Sequence, residues 1–144
     1  LAQLNTHDMF PFATYWTGKD VVLRKRVYKV PEKQFVAEKK MRMATNQFLI
    51  KTLRQLGFLS RRAKSARDGL GACLALLASS PAKRVLLDLD NLMLTTEPQN
   101  MPGTTKEHPN WQRKNKWPFS QIQKSRTIAE LLRQLDRNRK VGSS

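Results

Sequence analysis

Asn100-Met101-Pro102-Gly103-Thr104-Thr105-Lys106-Glu107-His108-Pro109-Asn110-Trp111 is a polar stretch with a short apolar run upstream and a cationic segment, starting at Arg113 and Lys114, downstream. Pro102 fixes φ and Gly103 permits positive φ, so the backbone can make a tight, defined excursion there. Loops of this shape often border binding sites, although turn chemistry alone favours an ordinary connector. Just upstream, Val85-Leu86-Leu87-Asp88-Leu89 predicts a short, largely buried strand. Before it, Ala66–Ala78 predicts a helix with Leu70, Leu74 and Leu77 on one side, ended by Ser79-Ser80-Pro81. A helix followed by an apolar strand is the grammar of a parallel α/β sheet. In a closed barrel of such units, binding groups sit at the C-terminal ends of the strands.

The loop run Asn-x-Pro-Gly-Thr-Thr-x-Glu-His-Pro-Asn-Trp, with Arg113 and Lys114 after it, resembles the C-terminal signature of the 4-α-glucanotransferases, the amylomaltases or disproportionating enzymes of the α-amylase clan. A second segment agrees with it. Thr6-His7-Asp8, followed by Tyr15-Trp16-x-Gly18-x-Asp20, is similar to the part of that family that ends its seventh barrel strand. The resemblance implies that Asp8 is the third catalytic carboxylate, stabilising the transition state, and that His7 binds the sugar in the cleavage subsite. It also implies that residues 1–144 are the C-terminal portion of one incomplete (β/α)₈ catalytic domain, mostly helical here, with two short parallel strands. Asp8 and Asn100 should then emerge at the same rim.

The chemistry suits those residue types. Retaining glycosyl transfer passes through an oxocarbenium-like transition state, and a fixed carboxylate near the anomeric centre favours it. Within the loop, Asn100 is the residue expected to face the sugar, since an amide both donates to and accepts from hydroxyls. Pro102 and Gly103 shape its backbone, while Glu107, His108 and Asn110 are expected to hold the loop and cap a following helix. His108 lacks partners at metal-ligand spacing, so no metal site is expected. No cofactor is expected either. Trp111, Arg113, Lys114, Lys116, Trp117 and Phe119 alternate cationic and aromatic character, which allows either clamping of the C-terminal segment or stacking of bases. Asn91 and Leu94 depart from the family pattern after the eighth strand, and Phe10 and Thr14 depart from it near the first motif.

Between the motifs, Asp20 is the expected N-cap of a helix over Val21–Lys29. A longer helix should run from near Pro31 to Leu56, with Val36, Met43, Ile50 and Leu53 as a core stripe and Gly57 as its stop. Lys39, Lys40 and Arg42 on its other faces leave a basic amphipathic helix, lying on RNA or lipid, as the alternative. The last helix is expected over Thr127–Arg139, opened by the capping box Thr127-Ile128-Ala129-Glu130, with Ile128, Leu131, Leu132 and Leu135 apolar and Lys140 to Ser144 frayed.

Bulk properties set the outer bounds. With 144 residues, 40% of them hydrophobic, the chain suits a single modest core. Its 27 Lys and Arg against 11 Asp and Glu give a net charge of +16 and a pI near 10.7. Such a balance raises the prospect of polyanion binding, and a basic helical nucleic-acid-binding module is the alternative function. The cations are scattered rather than confined to one tail, so nucleic acid is expected to bind only nonspecifically, and less as salt rises. The longest apolar stretch, around Leu70 to Ala78, is far short of a membrane helix, so no membrane partner is expected. The chain starts at Leu1 without a charged, then apolar, leader, so no signal peptide is expected, and a fragment is anticipated. The lone Cys73 excludes an internal disulfide and suits a reducing, cytoplasmic setting. The expected ligands are α-1,4-glucans and malto-oligosaccharides. The expected reaction moves an α-1,4-glucan segment to an acceptor glucan or glucose, with the upstream nucleophile and acid/base absent and these residues inactive alone. Oligomeric state is left open.

Overall fold

The computed structural model describes residues 1–141. The chain runs β1 (Ala2–Gln3), α1 (Phe12–Trp16), α2 (Lys19–Tyr28), α3 (Glu32–Gln55), α4 (Ala66–Ala78), β2 (Val85–Leu86), α5 (Leu89–Leu92), α6 (Phe119–Lys124) and α7 (Arg126–Val141). It is mostly helical, and its two short strands pair in parallel, Ala2 beside Val85 and Gln3 beside Leu86. Parallel strands need a long crossover between them, and here α1 to α4 supply it. The core gathers Phe12, Leu53, Leu59, Leu70, Cys73, Leu74, Leu92, Met93, Ile122 and Ile128 from helices and loops along the chain.

α4 is the centre of that core. Its span is the one the leucine spacing predicts, and buried Leu70, Cys73 and Leu74 face inward. It opens on a capping box that the sequence reading missed: the Ser65 hydroxyl accepts from the Asp68 N–H, and the Asp68 carboxylate accepts from the Ser65 N–H. The Ser65 hydroxyl holds the Asp68 carboxyl below the usual carboxylate range. At Gly69 the helix meets the Trp16 ring so closely that a Cβ would lie 2.5 Å from it. Cys73 is buried, and burial pushes its thiol up to about 11, which suits an inert core side chain.

Several expectations change in the folded chain. The second strand ends at Leu86 rather than Leu89, because the Asp88 carboxylate accepts from the Asp90 N–H at 2.8 Å and turns the chain into α5. Gly18, in the left-handed region at φ +72°, takes the N-cap position of α2, not Asp20. Asp20 lies inside the helix, 1% exposed, and is bound by Arg42 of α3. α3 ends as predicted: Gly57 is at φ +78°, and the Phe58 N–H reaches the Leu53 carbonyl at 2.9 Å.

The proposed core stripe on α3 holds only at its C-terminal end. Leu53 is fully buried and Ile50 is partly packed, but Val36 and Met43 are 57% and 56% exposed. The inner face of the first half is polar instead. Arg42 binds Asp20, Glu38 pairs with Arg24, and the Asn46 amide donates to the carbonyls of Tyr15 and Trp16. Period alone does not say which stripe faces inward when a charged stripe has partners of its own.

At the other end of the chain, the N-cap of α7 is Ser125, whose hydroxyl accepts from the Ile128 N–H, so the helix begins one residue before Thr127. Ile128, Leu131 and Leu135 pack inward, while Leu132 is 42% exposed. The fraying expected from Lys140 is not seen at Lys140 and Val141, whose backbone continues α7, and the rest of that expectation lies outside the described residues. None of the described helices is long and apolar enough to cross a membrane.

Candidate active site

Because β1 and β2 run parallel, the segments that follow them leave from the same end of the sheet. After β1, the Met9 N–H closes a turn on the Thr6 carbonyl at 3.0 Å and leaves His7 and Asp8 exposed at its tip. After β2 and α5, the chain passes Leu94, at φ +52°, and reaches the Asn100 loop. The two segments meet. The Asn100 amide donates to Asp8 Oδ1 at 2.7 Å, and His7 Nε2 lies 3.4 Å from Asp8 Oδ2. His7, Asp8 and Asn100 therefore form one cluster from residues 92 positions apart. The Asp8 side chain is about half exposed, at 51%.

Two buried polar side chains stitch the segments together beneath this cluster. Asn91 accepts from the Phe12 N–H at 2.8 Å and donates to Asn5 Oδ1, which fixes the turn after β1 to α5. The Thr14 hydroxyl donates to the Thr96 carbonyl at 2.6 Å. Both residues were singled out from sequence as departures from a family pattern, and both sit where a buried polar group has found its required partners. Their role as ties was not visible beforehand, since it depends on contacts spanning 79 to 86 residues.

The loop itself is built around Met101 to Thr104. The Thr104 N–H returns to the Met101 carbonyl at 3.2 Å, with Pro102 and then Gly103 between them and Gly103 at φ +81°, the arrangement of a type II turn. Pro102 and Gly103 thus shape the loop, and the Tyr28 hydroxyl donates to the Pro102 carbonyl at 2.8 Å. Asn110 latches it: its carbonyl oxygen accepts from the Met101 N–H at 2.9 Å, and its amide donates to the Thr104 carbonyl at 3.0 Å. Glu107 accepts from the Thr105 N–H, which draws its carboxyl below the usual range, and a His108 ring nitrogen lies 3.2 Å from the Pro98 carbonyl. These three residues hold the loop. The helix-capping role expected of them is not realised, because the next helix starts only at Phe119, behind Pro118.

Of the mixed cationic and aromatic residues that follow, Arg113 binds Asp90 with both side chains largely covered, and Trp117 packs against the core. They clamp the segment. Trp111 and Phe119 stay exposed. A cavity of about 260 Å³ opens beside the cluster, lined by His7, Asp88, Asp90, Gln99, Arg113 and Asn115 among others. Its lining is rich in groups that bond hydroxyls. Among the described residues no three His, Cys, Asp or Glu side chains gather into a metal-binding group.

Residues 1–120, which include both segments of the cluster, match the family model described as 4-alpha-glucanotransferase. The chain belongs to that family. It is also 32% identical over 114 residues to proteins named 4-alpha-glucanotransferase from Mycobacterium bovis and Mycobacterium tuberculosis. The match covers 77% of this chain and 15% of each of those relatives. Within the 4-alpha-glucanotransferase family match lie Asp8, His7, Asn100, Pro102 and Gly103, the residues singled out from sequence.

Proposed function

We propose that this chain is the C-terminal portion of a single (β/α)₈ catalytic domain in a longer polypeptide that performs retaining 4-α-glucanotransfer. In that reading, residues 1–144 contribute the last two barrel strands, β1 and β2, with the turns that follow them. A two-stranded parallel sheet needs further strands for independent stability, which supports a larger closed sheet. The donor is an α-1,4-glucan or malto-oligosaccharide, and the acceptor is another glucan or glucose.

The observation that carries the reading is the Asn100–Asp8 hydrogen bond, because it joins the two motifs that the resemblance had selected independently. Asn100 holds one carboxylate oxygen of Asp8 in place. The other faces His7, and the exposed part of the group is free to accept from the hydroxyls of a sugar ring. As positive charge develops at the anomeric carbon, those hydroxyls become better donors, so the bonds to a fixed carboxylate tighten in the transition state. His7 adds a ring nitrogen for a neighbouring hydroxyl. Pro102 and Gly103 set the backbone on which Asn100 stands.

Retaining transfer also requires a nucleophilic carboxylate and an acid/base about 5 Å apart across the scissile bond. We assign neither to residues 1–144. Asp20 and Asp90 are engaged by Arg42 and Arg113, and Asp88 caps α5. Residues 1–144 alone should therefore show no disproportionation of maltotriose, whereas the complete polypeptide should convert maltotriose to glucose and longer chains. Chromatography of the products checks both. Turnover by the 144 residues alone, or none by the complete polypeptide, contradicts the proposal.

A further inference from the structure

Trp111 follows the Asn110 latch directly, and its backbone lies at φ +61°. That is the left-handed region, where a residue bearing Cβ is crowded by its own carbonyl and an aromatic side chain is rare. Such a conformation persists only when the surroundings fix it, and it clusters at binding sites. Here the fixing bonds are the Trp111 N–H to the Gln99 carbonyl at 3.0 Å and the Asn110 N–H to the His108 carbonyl at 2.9 Å. The strain does not serve burial, since Trp111 remains 57% exposed. Its effect is to carry the indole outward, beside the imidazole of His7, with ring centroids 5.4 Å apart and planes tilted by 54°.

Resting on the functional reading above, we propose that the indole of Trp111 is a stacking platform for one glucose ring of an α-1,4-glucan. That ring adjoins the one held by His7 and Asp8. A glucopyranose ring has flat faces of C–H groups and equatorial hydroxyls at its edge. It can cover an indole with its apolar face while its hydroxyls stay with water or with rim groups. The contact with His7 occupies one part of the indole and fixes its orientation. The chemistry favours a neutral sugar over a charged ligand, because the platform is an aromatic face and the His7 ring beside it leads to hydroxyl-binding groups, Asp8 and Asn100, already bonded to each other.

The test uses the complete polypeptide, with steady-state transfer kinetics on maltoheptaose and calorimetric maltoheptaose binding in an Asp8→Asn background. Trp111→Ala should raise KM and weaken binding at least tenfold, with kcat changed less than threefold. Trp111→Phe, which keeps a ring, should stay within threefold of the parent in affinity. Trp111→Gly should lose affinity as Trp111→Ala does, but without a fall in melting temperature, because glycine relieves the backbone. Parental affinity in Trp111→Ala and Trp111→Gly overturns the platform. So does a fall in kcat at unchanged KM, which marks a residue that only positions His7. If the parent neither binds nor transfers glucan, the functional reading fails first; if it does both and only the Trp111 effects are missing, the platform alone fails.

Discussion

Asp8→Asn in the complete polypeptide is expected to lower the rate of glucan transfer on the order of 10²-fold or more while leaving the fold intact. The substitution keeps shape and keeps an oxygen for the Asn100 amide, which now donates to Asp8 Oδ1 at 2.7 Å. What it removes is the negative charge, the property that matters most when the sugar ring becomes cationic. Stability should move little, within about 0.5 kcal/mol, because the Asp8 side chain is half exposed and its neighbours are not buried charges. The comparison of initial transfer rates on maltotriose with thermal melting separates the two effects. Near-parental rates eliminate the proposed role of Asp8, and a large loss of stability shows that the carboxylate is structural.

The second large effect concerns stability and lies away from the cluster. Arg42→Met should destabilise the fold by about 3–5 kcal/mol, because it leaves the carboxylate of Asp20 buried without its partner. The Asp20 side chain is 2% exposed, and Arg42 reaches it through Nε at 3.0 Å and through a second guanidinium nitrogen. The same guanidinium stacks over the Tyr15 ring, with its carbon 3.7 Å from the centroid, so packing is lost as well. Arg42→Lys keeps the charge but not the planar fork, and should fall between parent and Arg42→Met. Removing both charges, as in Asp20→Asn with Arg42→Met, should recover part of the loss. Urea unfolding of these variants reads the order directly. A change under about 1 kcal/mol for Arg42→Met contradicts the account of a buried, dependent charge.

The sequence was most informative where a local rule leaves few choices. α4 follows from the spacing of Leu70, Leu74 and Leu77, the end of α3 from Gly57, and the turn at Pro102-Gly103 from the one backbone geometry that suits both residues. The cluster was legible too, at the level of which residues to watch: His7, Asp8 and Asn100 come together across 92 positions. Less legible were the choices that depend on distant partners. Asp20 looked like a helix cap because caps are local, yet its carboxylate is taken by Arg42, 22 positions away. Val36 and Met43 looked like core because apolar spacing is local, yet the half of α3 that carries them faces inward with Arg42, Glu38 and Asn46. Thr127 looked like the start of the last helix, and Ser125 took the position because its hydroxyl reaches the Ile128 N–H first. Asn91 and Thr14 show the same limit from the other side. They stood out against a pattern, but only the fold reveals that they tie the segment after β1 to the segment after β2.

The claim on which the rest depends is that residue 8 and Asn100 meet the same sugar. A crystal structure of the Asp8→Asn polypeptide with a bound malto-oligosaccharide measures this directly. The expected result is a sugar hydroxyl within hydrogen-bond distance, about 2.6–3.2 Å, of both position 8 and Asn100, beside the ring of His7. A well-ordered glucan in the catalytic cleft that touches neither position would contradict the account.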